Sequence, residues 1–173
     1  MTNCKIANVK FKFSLISNLM KNQLEKYITN EQGEINISSE IVDKINVPQV
    51  EAKYHSKYYD VYQDGNDLIQ IQKNENNGFI GAVIYKENSA IILMENGDIG
   101  RKEYLLTEYA CLYFILKHEN AILIHSSSIK YKDNGILFIA SSGVGKSTQA
   151  RLWKEHLNII QINDDKNIII EEK

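Results

Sequence analysis

The segment "ILIHSSSIKYKDNGILFIASSGVGKSTQARLW", residues 122–153, decides how this chain is read. "AILIH" (121–125) has the composition of a buried strand, and "SSIKY" (127–131) continues it or pairs through the "KDNG" turn. "ILFIA" (136–140) is an apolar, β-branched strand that runs straight into a loop of small residues. An amphipathic stretch, "STQARLWKEHL" (147–157), follows as a helix. The order is strand, loop, helix, and in that setting the phosphate-binding pattern G-x-x-x-x-G-K-[ST] carries weight that it lacks alone.

Here the pattern reads Ala140-Ser141-Ser142-Gly143-Val144-Gly145-Lys146-Ser147, with Thr148 next. Gly143 and Gly145 can adopt backbone angles that turn successive N–H groups inward, forming a nest for phosphate oxygens at the positive end of a helix. Residues 141–148 are thus the candidate nucleotide-binding set. Lys146 would reach the β- and γ-phosphates of ATP, and the Ser147 hydroxyl would ligate Mg²⁺. Ala140 stands where the pattern has glycine; at a strand end with ordinary angles, its methyl is the smallest intrusion possible. The plain alternative is a Gly-Ser turn capping a surface helix, with the lysine merely solvated.

A phosphate-binding loop works with a carboxylate at the end of a neighbouring apolar strand. "LNIIQINDD" (157–165) supplies Asp164 and Asp165, whose side chains would point to opposite sides of an extended chain. One would hold Mg²⁺ and the other accept a proton from an attacking hydroxyl. Ser147 and Asp165 are the candidate metal ligands, with the division of labour within the pair open. The competing reading is an Asn-Asp-Asp turn.

His125, fifteen residues before the start of the loop, the loop "ASSGVGKST" and the Asp164-Asp165 doublet together resemble the catalytic domain of HPr kinase/phosphorylase and its HPr-kinase-like relatives. "LIHSSSI" (123–129) is similar to the "LLHASAV" type of sequence in those relatives. The resemblance covers roughly residues 121–170 and reaches the rest only in outline. It implies that Gly143, Gly145, Lys146 and Ser147 bind phosphates and metal. It also implies that Asp164-Asp165 supply a general base and a magnesium-associated carboxylate, with His125 beside them, so that His125, Lys146, Asp164 and Asp165 form the catalytic set. A histidine beside a carboxylate would have its charged form favoured and could hold the acid in place. Such domains continue well past the doublet, whereas eight residues, "KNIIIEEK", follow it here. The expectation is a C-terminally incomplete domain with an unpaired sheet edge, which invites a second copy or a partner chain to complete the sheet.

The preceding 120 residues read differently. "IANVKFKFSLI" (6–16) alternates as a strand, "NLMKNQLEKYI" (18–28) suits a short helix, and "SSEIVDKINV" (38–47) another turn or two of helix before Pro48. "YYDVY", "DLIQIQ", "FIGAVIY" and "AIILM" are strand-length runs joined by "QDGN", "KNENNG" and "KENS", an antiparallel meander. "RKEYLLTEYACLYFILKHEN" (101–120) carries apolar residues nearly all round and predicts a largely buried helix. The fold expectation is α/β, α+β overall: a β-meander region over 1–120, then the beginning of an HPr-kinase/PEP-carboxykinase-like nucleotide-binding domain over 121–173. In "KYHSKYYDVY" (53–62) the aromatics and His55 read as one face of a meander strand, and His118 as a partner of its helix's C-terminal dipole.

Composition excludes some classes. The net charge of −2, without a long basic cluster, gives no electrostatic footprint for nucleic acid or an anionic membrane. The longest apolar run, "YACLYFIL", is far shorter than a membrane span, and Cys4 and Cys111, far apart, read as free thiols, so a cytoplasmic protein is expected. Three functions fit: an ATP-dependent kinase acting on a hydroxyl, such as serine, of a protein or peptide; a nucleotide-binding regulatory module without transfer; and a nucleoside triphosphatase or PEP-carboxykinase-like enzyme.

Overall fold

The computed structural model describes residues 1–74 and 78–171; part of the "KNENNG" connection lies outside the described residues. The chain is α+β and divides into two compact units, Met1–His118 and Glu119–Lys173.

In the first unit, β1 (Thr2–Ile6) and β2 (Val9–Ser14) form a hairpin where alternation alone suggested one strand. Ala7 and Asn8 both take positive φ, 50° and 67°, the angles of a tight two-residue turn, without the glycine that usually advertises one. Val9, Phe11 and Phe13 are buried on one face of β2. Helix α1 (Asn18–Leu24) starts at Ser17, whose hydroxyl accepts the Met20 N–H at 3.2 Å, and ends in a short 3-10 turn, Glu25–Tyr27.

Strand β3 (Ile35–Val42) overturns the helical reading of residues 38–47. Ile35, Ile37 and Ser39 are buried in period 2, and β3 runs parallel to both β2 and β8 (Ser89–Glu95) in the middle of the sheet. The meander is present: β4 (Tyr54–His55), β5 (Tyr59–Asp64), β6 (Asp67–Lys73), β7 (Phe79–Tyr85) and β8 pair antiparallel in sequence order. The full order is β1-β2-β3-β8-β7-β6-β5-β4.

Helix α2 (Ile99–His118) packs on β7 and β8. It buries one stripe, through Leu106, Ala110, Phe114 and Ile115, rather than its whole circumference; Tyr104 and Leu116 remain exposed. The close approach is set by Gly81, where an added Cβ would fall 2.3 Å from Leu106 Cδ1. Cys4 and Cys111 are free and buried, and burial raises both thiol pKa values. Among the described residues no helix is long and apolar enough to cross a membrane.

The second unit is built on β9 (Ala121–Tyr131), one long strand. β10 (Asn134–Ile139) pairs antiparallel with residues 126–131, β11 (Ile160–Asn163) with 128–130 on the other side, and β12 (Lys166–Ile170) with 121–125. Helix α3 (Lys146–Leu157) packs on this sheet through fully buried Ala150 and through Trp153, whose ring meets Tyr131 and Phe138 edge-on at 5.6 and 5.9 Å. Asn158 closes the helix in the left-handed conformation.

Candidate functional site

The 140–145 loop connects β10 to α3, giving the strand, loop, helix order that the sequence implies. Gly143 and Gly145 take φ of +83° and +100°, which L side chains rarely adopt. Ala140 is outside the positive-φ residues, so its methyl needs no special backbone conformation. Gly145 is the N-cap of α3 and provides no side-chain cap, which leaves the first-turn amides to find other acceptors. Ser141, Ser142, Gly143, Val144, Ser147 and Thr148 are exposed, as a ligand-facing loop requires.

Lys146 is the exception: it is buried, and its Nζ donates to the carbonyls of Ala140 at 2.8 Å and Ser141 at 3.2 Å. The ammonium is therefore held across the mouth of its own loop. Both bonds go to neutral oxygens, so no anion neutralises the ammonium at these two contacts.

Asp164 and Asp165 occupy a bend between β11 and β12 rather than extended positions. The doublet does separate its side chains, but by partner. Asp164 Oδ1 accepts a 2.5 Å hydrogen bond from Ser127 Oγ, while Asp165 Oδ1 lies 3.4 Å from His125 Nε2. His125 and Ser127 are two residues apart on β9 and so share a face of the strand. The bend is fixed from beneath. Ser128 Oγ donates to Asn167 Oδ1 at 2.7 Å and accepts from Asn163 N–H at 3.0 Å. Asn167 Nδ2 donates to Ser126 O and Oγ at 2.6 and 2.9 Å, and Ser126 N–H donates to Asp165 O at 2.8 Å.

An open cleft of about 630 Å³ runs along α3 beside β11, and its walls include Ser147, Thr148, Arg151, Lys154, Gln161 and Asp164. The loop hydroxyls and one carboxylate of the doublet thus face a common space. That carboxylate is Asp164, not Asp165, which the sequence analysis paired with Ser147 as a metal ligand. Among the described residues no group of three or more His, Cys, Asp or Glu could hold a metal by itself. The donor set of a hydroxyl and a carboxylate nevertheless fits Mg²⁺, a hard cation that is held by one or two protein oxygens, waters and substrate phosphates.

Sequence reasoning missed Ser127, Asn163, Asn167, Arg151 and Lys154. The available signal was the run Ser126-Ser127-Ser128 inside an otherwise apolar strand: all three are buried, and buried hydroxyls need partners. His55 and His118 belong to the first unit; His55 Nδ1 meets Asp60 Oδ1 at 2.6 Å, and His118 stacks on Phe114. Comparison of the chain with family models, curated proteins and solved structures gave no match.

Proposed function

We propose that the second unit binds ATP with Mg²⁺ and that the protein transfers the γ-phosphoryl group to a hydroxyl, serine being the expected one, of a protein or peptide. The observation that carries this reading is the cleft in which Ser147 and Thr148, from the start of α3, face the same space as Asp164, with Lys146 held across the adjoining loop. A Gly-Ser turn serving only as a cap would require neither the buried lysine nor the carboxylate.

In this reading the amides of residues 143–148 cradle the phosphates, and Lys146 exchanges its two carbonyl partners for phosphate oxygens. Mg²⁺ supplies charge neutralisation on the phosphates, and Ser147 and Asp164 would hold it. Asp165 receives the proton of the acceptor hydroxyl, and His125 keeps that carboxylate in place. These residues act by positioning and by neutralising charge, which is most of what phosphoryl transfer asks of a protein.

The test is incubation of the chain with γ-labelled ATP and Mg²⁺ in the presence of protein extract, beside Lys146→Ala and Asp165→Asn. Label on a protein acceptor that both substitutions abolish supports the kinase reading. Label released only as free phosphate replaces it with a triphosphatase, and binding without turnover with a regulatory module.

A further inference from the structure

Ser127 is fully buried in the middle of β9, and its hydroxyl serves a carboxylate 37 residues away. A serine at a core-facing strand position forgoes the burial of a larger apolar side chain, which Ile129, two residues on along the same face, provides. What Ser127 offers instead is a donor aimed at one oxygen of Asp164. That oxygen is Oδ1, and Asp164 is the member of the doublet that lines the cleft with Ser147. The backbone on either side of Asp164 is pinned separately, by Ser128 Oγ at the Asn163 N–H and by the Ser126 N–H at the Asp165 carbonyl. Ser127 is therefore not needed to hold the bend; its bond reaches only the side chain. An exposed aspartate on a bend otherwise samples several rotamers, and a metal ligand that must first be ordered binds more weakly.

We propose that Ser127 is a positioning residue that fixes Asp164 for Mg²⁺ binding beside Ser147, in the way outer-shell donors orient metal-ligating carboxylates. The inference rests on the nucleotide-binding reading above and assigns the metal-side role to Asp164. It also separates the roles of the doublet, since Asp165 faces His125 instead.

The experiment is calorimetric titration of the full chain with ADP, in EDTA and at several Mg²⁺ concentrations, for the parent, Ser127→Ala, Ser127→Thr and Asp164→Asn. The expected result is that Ser127→Ala keeps the affinity for ADP in EDTA but loses about tenfold or more of the Mg²⁺-dependent gain. Ser127→Thr, which retains the hydroxyl, keeps most of that gain. In an Asp164→Asn background, Ser127→Ala has no further effect on Mg²⁺ dependence. The proposal is overturned if folded Ser127→Ala shows the parent's full Mg²⁺ dependence, or if the two substitutions act additively. Should Ser127→Ala not fold, equal Mg²⁺ dependence in Asp164→Asn and the parent overturns it. If the parent binds no ADP under any condition, the nucleotide reading itself fails and takes this one with it.

Discussion

His125 Nε2 stands 3.4 Å from Asp165 Oδ1, while the preceding residue, Asp164, turns to Ser127. Two adjacent carboxylates would repel each other and compete for one cation if they shared an environment. Here a different residue of β9 engages each, and the proposed division of labour, one carboxylate for the metal and one for the proton, rests on that difference. His125 and Asp165 are both well exposed, which keeps their pairing weak as a contribution to stability and leaves it open to an acceptor. Asp165→Asn should consequently change the melting temperature little while abolishing transfer in the labelled-phosphate assay. A large loss of stability would mean that the pair is structural.

The loop glycines make a backbone prediction. A Cβ at Gly145 meets nothing within 4 Å, yet φ of +100° is strained for any other residue. Gly145→Ala should therefore cost about 1–2 kcal/mol through conformation and not through a clash. Urea unfolding followed by Trp153 fluorescence reads the unit concerned. A neutral effect would show that the loop relaxes and that its glycines are not demanded by the fold.

Glu103 is fully buried on α2 and accepts from Ile16 N–H and Ser17 N–H, each at 2.8 Å, and from the Ser39 hydroxyl. One carboxylate thus ties the entry of α1 and the central strand β3 to α2. Glu103→Ala takes the carboxylate from the buried Ser39 hydroxyl and from the part-buried amides of Ile16 and Ser17, and should destabilise the chain by about 2–3 kcal/mol. Glu103→Gln, which keeps one oxygen acceptor, should cost less. A loss under about 1 kcal/mol for the alanine variant would mean that water replaces the carboxylate.

A second buried charge cluster joins Lys73 Nζ to Asp60 Oδ1 at 2.8 Å, with His55 on the same oxygen. Asp60→Ala strands a buried ammonium and should cost about 3–5 kcal/mol. His55→Ala removes an exposed partner and should cost under about 1 kcal/mol. Chemical denaturation of the two variants side by side checks the ranking, and equal costs would contradict it.

Alkaline pH should act on the first unit. Burial raises the Cys111 thiol and the Tyr85 phenol above their ordinary values of about 8.5 and about 10. The unfolded chain therefore loses these protons first. Their contribution to stability is complete below about pH 8.5 and is lost as pH rises past the ordinary values toward the raised ones. Melting temperatures should fall above about pH 9, with a shallower slope in Cys111→Ala. A curve flat to pH 11 would contradict the buried assignment.

Legibility in the sequence followed the range of the interactions involved. The meander β5 to β8 is local: alternation and turn residues such as Asp64-Gly65 announce it. The phosphate-loop pattern is local too, and its strand and helix lie where the spacing implied. Where the answer depended on distant partners, the reading failed. Residues 38–42 are a strand because β8 runs parallel beside them and β2 pairs with the residues up to Ser38, which "SSEIV" does not express. The β1–β2 turn uses Ala7 and Asn8 without a glycine and passes unseen. In the candidate site, the doublet is visible as two carboxylates, but that Asp164 lines the cleft with Ser147 and accepts from Ser127, across 37 residues of chain, is not expressed locally.

The central claim is that the 140–148 loop binds a nucleotide, and thermal unfolding with and without excess MgATP, run beside Lys146→Ala, tests it most directly. At about 100 times the dissociation constant, bound MgATP should add roughly 2.7 kcal/mol to the parent's stability, and Lys146→Ala should lose that gain. A folded parent that MgATP does not stabilise, or an equal gain in Lys146→Ala, would contradict the account.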